Sequence, residues 1–184
     1  MISKMKKITI KILFLLFIFT QSAYSDVVKK IEINGNKRIT DETIRVFGDI
    51  ALNEDYNSEK INSLLLNLYE TNFFSNIDVK ITDNLLVINV VENPIIRSLE
   101  FKGVKSNKIK EKILEIISLK EKTSFVENEF ENDLKKIKTA FKNTGYYFVN
   151  IEAYKKEGIN NTIDLIYEID LGPKSKIKKI VFFR

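Results

Sequence analysis

The chain has no cysteine, no histidine and no tryptophan among its 184 residues, and only two prolines. Without cysteine there is no disulfide, no thiolate metal site and no thiol nucleophile. Without histidine there is no Ser-His-Asp triad, no imidazole base and none of the zinc sites that use one. Carboxylates, Lys, Tyr, Ser and Thr are left for chemistry, so a binding role is the first expectation and an enzyme acting through Asp/Glu pairs the weaker one. At 44% hydrophobic and 30% charged the chain is too apolar for a disordered one. Its length suits one ordinary domain or two small ones.

Residues 1–25 carry Lys4, Lys6, Lys7 and Lys11 and no acid, then an apolar run of 8 residues, Ile12 to Phe19. Ala23-Tyr24-Ser25 places small residues at the −3 and −1 positions of a cut between Ser25 and Asp26. A basic start, a short apolar core and a small-x-small exit predict a secretory signal peptide. The run is short against the roughly 20 residues of a spanning helix. A retained membrane anchor is the alternative, and lipoprotein export lacks its cysteine. Four of the 30 basic residues lie in this leader, leaving 26 against 25 acids, about +1. The pI near 9.1 thus belongs mostly to the leader, and no nucleic-acid partner is expected.

The remainder reads as a repeat. Val27 to Ile33 predicts a strand that turns at Asn34-Gly35-Asn36. Thr40-Asp41-Glu42 opens a helix through Ile44 and Phe47 to Gly48. A second helix starts near Asn57-Ser58 with Ile61, Leu64, Leu65, Leu68 and Tyr69 on one face, and Asn72 takes the left-handed exit. Asn76–Thr82 alternates, Asp83-Asn84 turns, and Leu85 to Val91 is a third strand. Pro94 breaks the chain, and 96–103 repeats 28–35 at an offset of 68. Ile109, Ile113, Ile116 and Ile117 mark a helix. Ser124-x-x-Glu127 reads as a capping box for the next. In that helix Leu134, Ile137, Phe141 and Gly145 repeat Ile61, Leu64, Leu68 and Asn72 at an offset of 73. Tyr147–Lys155 and Ile163–Leu171 follow as strands, and Gly172-Pro173 ends the unit. Ile177 to Phe182 resembles the first strand of a third copy. The expected divisions are a leader at 1–25, modules at 26–93 and 94–172, and a stub at 173–184 of a truncated third module.

The class is therefore α+β, with each module a β-α-α-β-β unit. A hairpin joins its second and third strands, and two helices return the chain. That predicts a three-stranded mixed sheet of order 1-3-2, helices on one face, with the second strand at an edge. No defined loop collects the oxygens a hard cation needs, so Glu129, Glu131, Asp133 and Asp170 are not read as a metal site, and no cofactor is expected. Glu92 has no second catalytic group beside it and reads as a cap or hydrogen-bond acceptor.

This pattern resembles the POTRA family. The resemblance rests on Ile31 to Lys37 and Leu99 to Gly103 as first strands, on Leu68 to Phe74 and Asn143 to Tyr147 as the exits from the second helix, and on Val90 to Ile96 as the joint between modules. With the export signal ahead, the chain is similar to the N-terminal end of POTRA-bearing assembly factors for outer-membrane β-barrel proteins. The resemblance implies a periplasmic segment of an outer-membrane protein, anchored through a C-terminal barrel missing from this sequence. It implies unfolded outer-membrane proteins and accessory lipoproteins as partners. The POTRA region of another outer-membrane translocation or secretion pore is the alternative. Edge strands suit that role, because their free N–H and C=O groups can accept an unfolded strand. The candidate positions are Ile77, Asp78, Val79, Lys80 and Ile81, and Val149, Asn150, Ile151, Glu152 and Ala153. Read otherwise, Asp78, Lys80, Asn150 and Glu152 are solvent residues that blunt the edges. The corner aromatics Phe73, Phe74, Tyr146, Tyr147 and Phe148 are expected in the core, with a partner groove as the alternative.

Overall fold

The structure is a computed structural model and describes residues 27–176 and 178–181. The leader and its cleavage position at Ser25-Asp26 lie outside the described residues.

In the first module β1 (Lys30–Asn34) leads to α1 (Asp41–Phe47), α2 (Ser58–Glu70), β2 (Phe74–Thr82) and β3 (Leu85–Glu92). Thr40 caps α1, its hydroxyl accepting from the Thr43 N–H, and Asn57 caps α2 by accepting from the Lys60 N–H. Asn72 leaves α2 with φ +58°, the left-handed exit that favours Gly or Asn. The second module repeats the plan with β4 (Ile95–Lys102), α3 (Asn107–Ile116), α4 (Glu127–Asn143), β5 (Asn150–Glu157) and β6 (Thr162–Asp170).

The sheets have the orders β1-β3-β2 and β4-β6-β5. In each, the first strand runs parallel to the central one and the second runs antiparallel to it, as the β-α-α-β-β order requires. Leu64 and Leu68 of α2 pack with Leu86, Ile88 and Val90 of β3 in one core. Ile137 and Phe141 of α4 pack with Leu165, Tyr167 and Ile169 of β6 in another. Among the described residues the two cores share none.

The loops between the helices pair with the chain just ahead of β1 and with the outer edge of β4. Val28 N donates to Glu54 O and Asn53 N to Val28 O, while Ile96 N donates to Thr123 O and Lys122 N to Ile96 O. Among the described residues no such loop pairs with β2 or β5, each of which ends its sheet.

Two expectations need correction. The capping box at Ser124 does not form: Val126 precedes α4 without a side-chain cap, because Ser124 is drawn into a bridge with Ile95. The strand expected from Tyr147 starts at Asn150, so Val149 lies just ahead of β5. Gly145 at φ +95° and the Val149 N–H bonded to Tyr146 O hold 145–149 in turns, and local geometry overrides the β-propensity of Tyr147, Phe148 and Val149. Apart from these, residues 178–181 of the expected third-module stub form no strand. A strand needs a neighbour for its backbone groups, and these residues join no ladder among the described residues.

Candidate functional site at the sheet edges and the module joint

The edge strands are built by alternation. Ile77, Val79 and Ile81 turn toward the helices and pack on the first core, leaving Asp78 and Lys80 on the open face. There Lys80 Nζ lies 3.0 Å from Asp78 Oδ2, and Asn89 Nδ2 donates to the same oxygen at 3.3 Å. Lys80, then Asn89, hold the Asp78 carboxyl below its ordinary value. In β5, Ile151 and Ala153 pack on the second core. Asn150 and Glu152 are exposed and joined by a 3.3 Å hydrogen bond. Val149 is buried ahead of the strand. All five sequence candidates in the first module and four of the five in the second, 150–153, thus lie on an edge strand, with alternate side chains on opposite faces.

The hairpin turns decide which amides face outward. Asp83 and Asn84 both have positive φ, 51° and 64°, and form a two-residue turn whose twist suits a hairpin. Its closing pair, Thr82 and Leu85, is hydrogen-bonded in such a turn. Alternation then points the N–H groups of Ile77, Val79 and Ile81 away from β3. The Ile77 N–H accordingly donates to the Tyr69 hydroxyl at 3.1 Å. In the second module Gly158 N donates to Thr162 O at 2.8 Å, so the N–H groups of Ile151, Ala153 and Lys155 point away from β6. The aromatic corners differ as well. Phe74 is buried as expected, whereas Tyr147 is 61% and Phe148 72% exposed, against the expectation of core packing.

The joint is organised by Glu92. Its Oε1 accepts the N–H groups of Lys37, Arg38 and Ile39 at 2.8, 2.8 and 2.9 Å, and Arg38 Nε lies 3.6 Å from Oε2. Burial alone would raise this carboxyl. The N–H groups of Ile39, Lys37 and Arg38, with the Arg38 charge, outweigh burial and hold it below its ordinary value. Asn93 N donates to Phe73 O and Asn93 Nδ2 to Asn72 O. From the second module, Asn161 Nδ2 donates to Glu92 O at 3.1 Å and Asn161 O accepts from Ile95 N. Gly35, Arg38, Glu92 and Asn161 line a cleft of about 900 Å³ at this joint.

Sequence reasoning missed two polar residues that hold the second module. Asp133 is fully buried and accepts the N–H groups of Ser118 and Leu119, tying α4 to the exit of α3. Asp164 accepts from Arg97 and Ser98; Arg97, then Ser98, lower its carboxyl to about 2. Among the described residues no group of three or more His, Cys, Asp or Glu is placed to hold a metal ion, and no helix is long and apolar enough to cross a membrane.

The POTRA family model, described as surface antigen variable number repeat, matches residues 27–93 and 94–172. A protein of Neorickettsia risticii named outer membrane protein assembly factor BamA is 29% identical over 131 residues, which are 70% of this chain and 17% of that protein. The protein of the same name from Neisseria meningitidis serogroup B is 26% identical over 157 residues, 84% of this chain and 20% of its own length. The chain thus spans about a fifth of these relatives. The N-terminal domain of Omp85 from Thermosynechococcus elongatus aligns with a TM-score of 0.49 at 14% identity, covering 77% of this chain and 61% of that one.

Proposed function

The chain belongs to the POTRA family, and from that premise we propose that it is the periplasmic segment of an outer-membrane β-barrel assembly factor of the BamA kind, exported by the leader at residues 1–25. It carries no catalytic role. Its task is to hold unfolded outer-membrane proteins in an extended form, and to bind accessory lipoproteins, while a barrel beyond this sequence stands in the membrane.

The observation that carries this reading is the pair of sheet edges, β2 and β5, that among the described residues end their sheets without a strand beside them. Their outward N–H and C=O groups can pair with any extended backbone, whatever its side chains. Clients that share only an alternating strand pattern need a receptor of that kind. A second reading, a POTRA segment of a secretion pore, rests on the same edges and differs in its client.

The two readings separate in cells. A strain lacking the native segment should regain barrel proteins of several unrelated families in its outer membrane when this chain replaces it. Recovery of a single secreted substrate, with barrel levels unchanged, would favour the secretion pore.

A further inference from the structure

The two modules repeat one plan, yet their equivalent edges are finished differently. Ladder partners fix the equivalence. Ile77 faces Val90 and Ile151 faces Ile169, each on the central strand of its sheet. The outward N–H of Ile77 is taken by the Tyr69 hydroxyl at 3.1 Å. Tyr69 follows the buried Leu68 in α2, and the residue that follows the matching Phe141 in α4 is Lys142. Lysine is a donor only and cannot accept from the Ile151 N–H.

The corners ahead of the strands differ in the same direction. In the first module Phe73 stands edge-on between Phe47 and Phe74, with ring centroids 5.9 and 6.2 Å away, and Phe74 is buried. In the second, Tyr147 and Phe148 project into solvent directly ahead of β5. The Phe148 main chain passes Gly172, beside the exit of β6, so the backbone that carries the two rings continues the line of the edge.

We infer that the second module alone is the receiving one: β5 accepts an extended, alternating segment along Ile151, Ala153 and Lys155, Tyr147 and Phe148 take its apolar or aromatic side chains, and the Tyr69 hydroxyl keeps β2 closed. Donors on every second residue fit an extended backbone and not a helix, whose donors are used internally. Exposed rings at one end add edge-to-face or offset contacts that reward aromatic side chains. The inference rests on the strand-addition reading above and narrows it to one edge.

The test is a titration of the full, isotopically labelled chain with a synthetic peptide of about ten residues, the length of a barrel strand, in which Val and Tyr alternate with Thr and Asn. Amide shifts should gather on 150–155 and spare 77–81. Tyr147→Ala with Phe148→Ala should weaken binding about tenfold. Tyr69→Phe, which keeps the ring and removes the acceptor, should bring shifts onto 77–81. Equal shifts on both edges, with Tyr69→Phe changing nothing, would overturn the assignment to one edge and leave strand addition standing. Shifts confined to the helices would overturn both.

Discussion

The Glu92 carboxylate accepts the main-chain N–H of Arg38 at 2.8 Å, across 54 residues of chain. With the N–H groups of Lys37 and Ile39 on the same oxygen, it fastens the turn after β1 to the last residue of β3. Glu92→Gln keeps the shape and removes the charge. Hydrogen bonds to charged groups are stronger than neutral ones, so the substitution should cost about 1–3 kcal/mol in a urea titration. It should also speed amide exchange at 37–39.

The same residue sets a pH dependence. The Glu92 carboxyl is held below its ordinary value in the folded chain. Its contribution is therefore complete above the unfolded-state pKa of about 4.3 and is lost as pH falls through the lower folded value. Stability of the first module should be flat with respect to this group between pH 7 and 5 and fall in more acidic solution. In Glu92→Gln that acid-side fall should shrink. An unchanged acid limb in the variant would contradict the assignment.

Separate cores predict separate failure. Ile137 is fully buried among Phe130, Leu165 and Tyr167, so Ile137→Ala should cost about 2–5 kcal/mol. Leu134, which helical spacing equally suggested, is half-buried at the margin of that core and should cost less. Amide exchange in Ile137→Ala should lose protection across 95–170 and keep it across 28–92. Equal loss in both halves would show one fused core.

Much of this was legible from residue order. Alternation at Ile77, Val79 and Ile81 and helical spacing at Leu64 and Leu68 gave the elements. Two helices returning the chain after a single strand dictated the 1-3-2 order. The contacts that finish each edge were not legible. Tyr69 reads as one more apolar residue on a helix, because the destination of its hydroxyl depends on where β2 lies beside it. The role of Asp133 is not legible in the sequence, because it follows from the N–H groups of Ser118 and Leu119 that the fold brings to its carboxylate. Tyr147 and Phe148 read as strand and core, because the turns around Gly145 and Val149 that expose them are set by geometry stronger than side-chain preference.

Gly103 has φ +80°, and a Cβ there would fall on the carbonyl oxygen of Ile169. Gly35 stands in the same relation to Val90. Gly103→Ala combines a left-handed backbone with a collision against the central strand and should cost about 2 kcal/mol or more, in the second module alone. Thermal melts with module-specific amide probes check this. A variant as stable as the parent would mean that β4 and β6 are not held so closely.

The leader makes its own prediction. Small residues at Ala23 and Ser25 should direct cleavage before Asp26. N-terminal sequencing of the periplasmic product should begin Asp26-Val27-Val28. Chain retained in the inner membrane with Met1 in place would contradict export by a cleaved signal.

The central claim is that unfolded barrel proteins add to this segment along a sheet edge. Photo-crosslinking amino acids placed singly at Asn150 and Glu152 on β5, and at the exposed Lys138 on α4, test it most directly in cells that are synthesising outer-membrane proteins. Crosslinks to several different barrel precursors from 150 and 152, with none from 138, are the predicted result. Precursors captured from 138 and not from the β5 positions would contradict the claim and move recognition to the helical face.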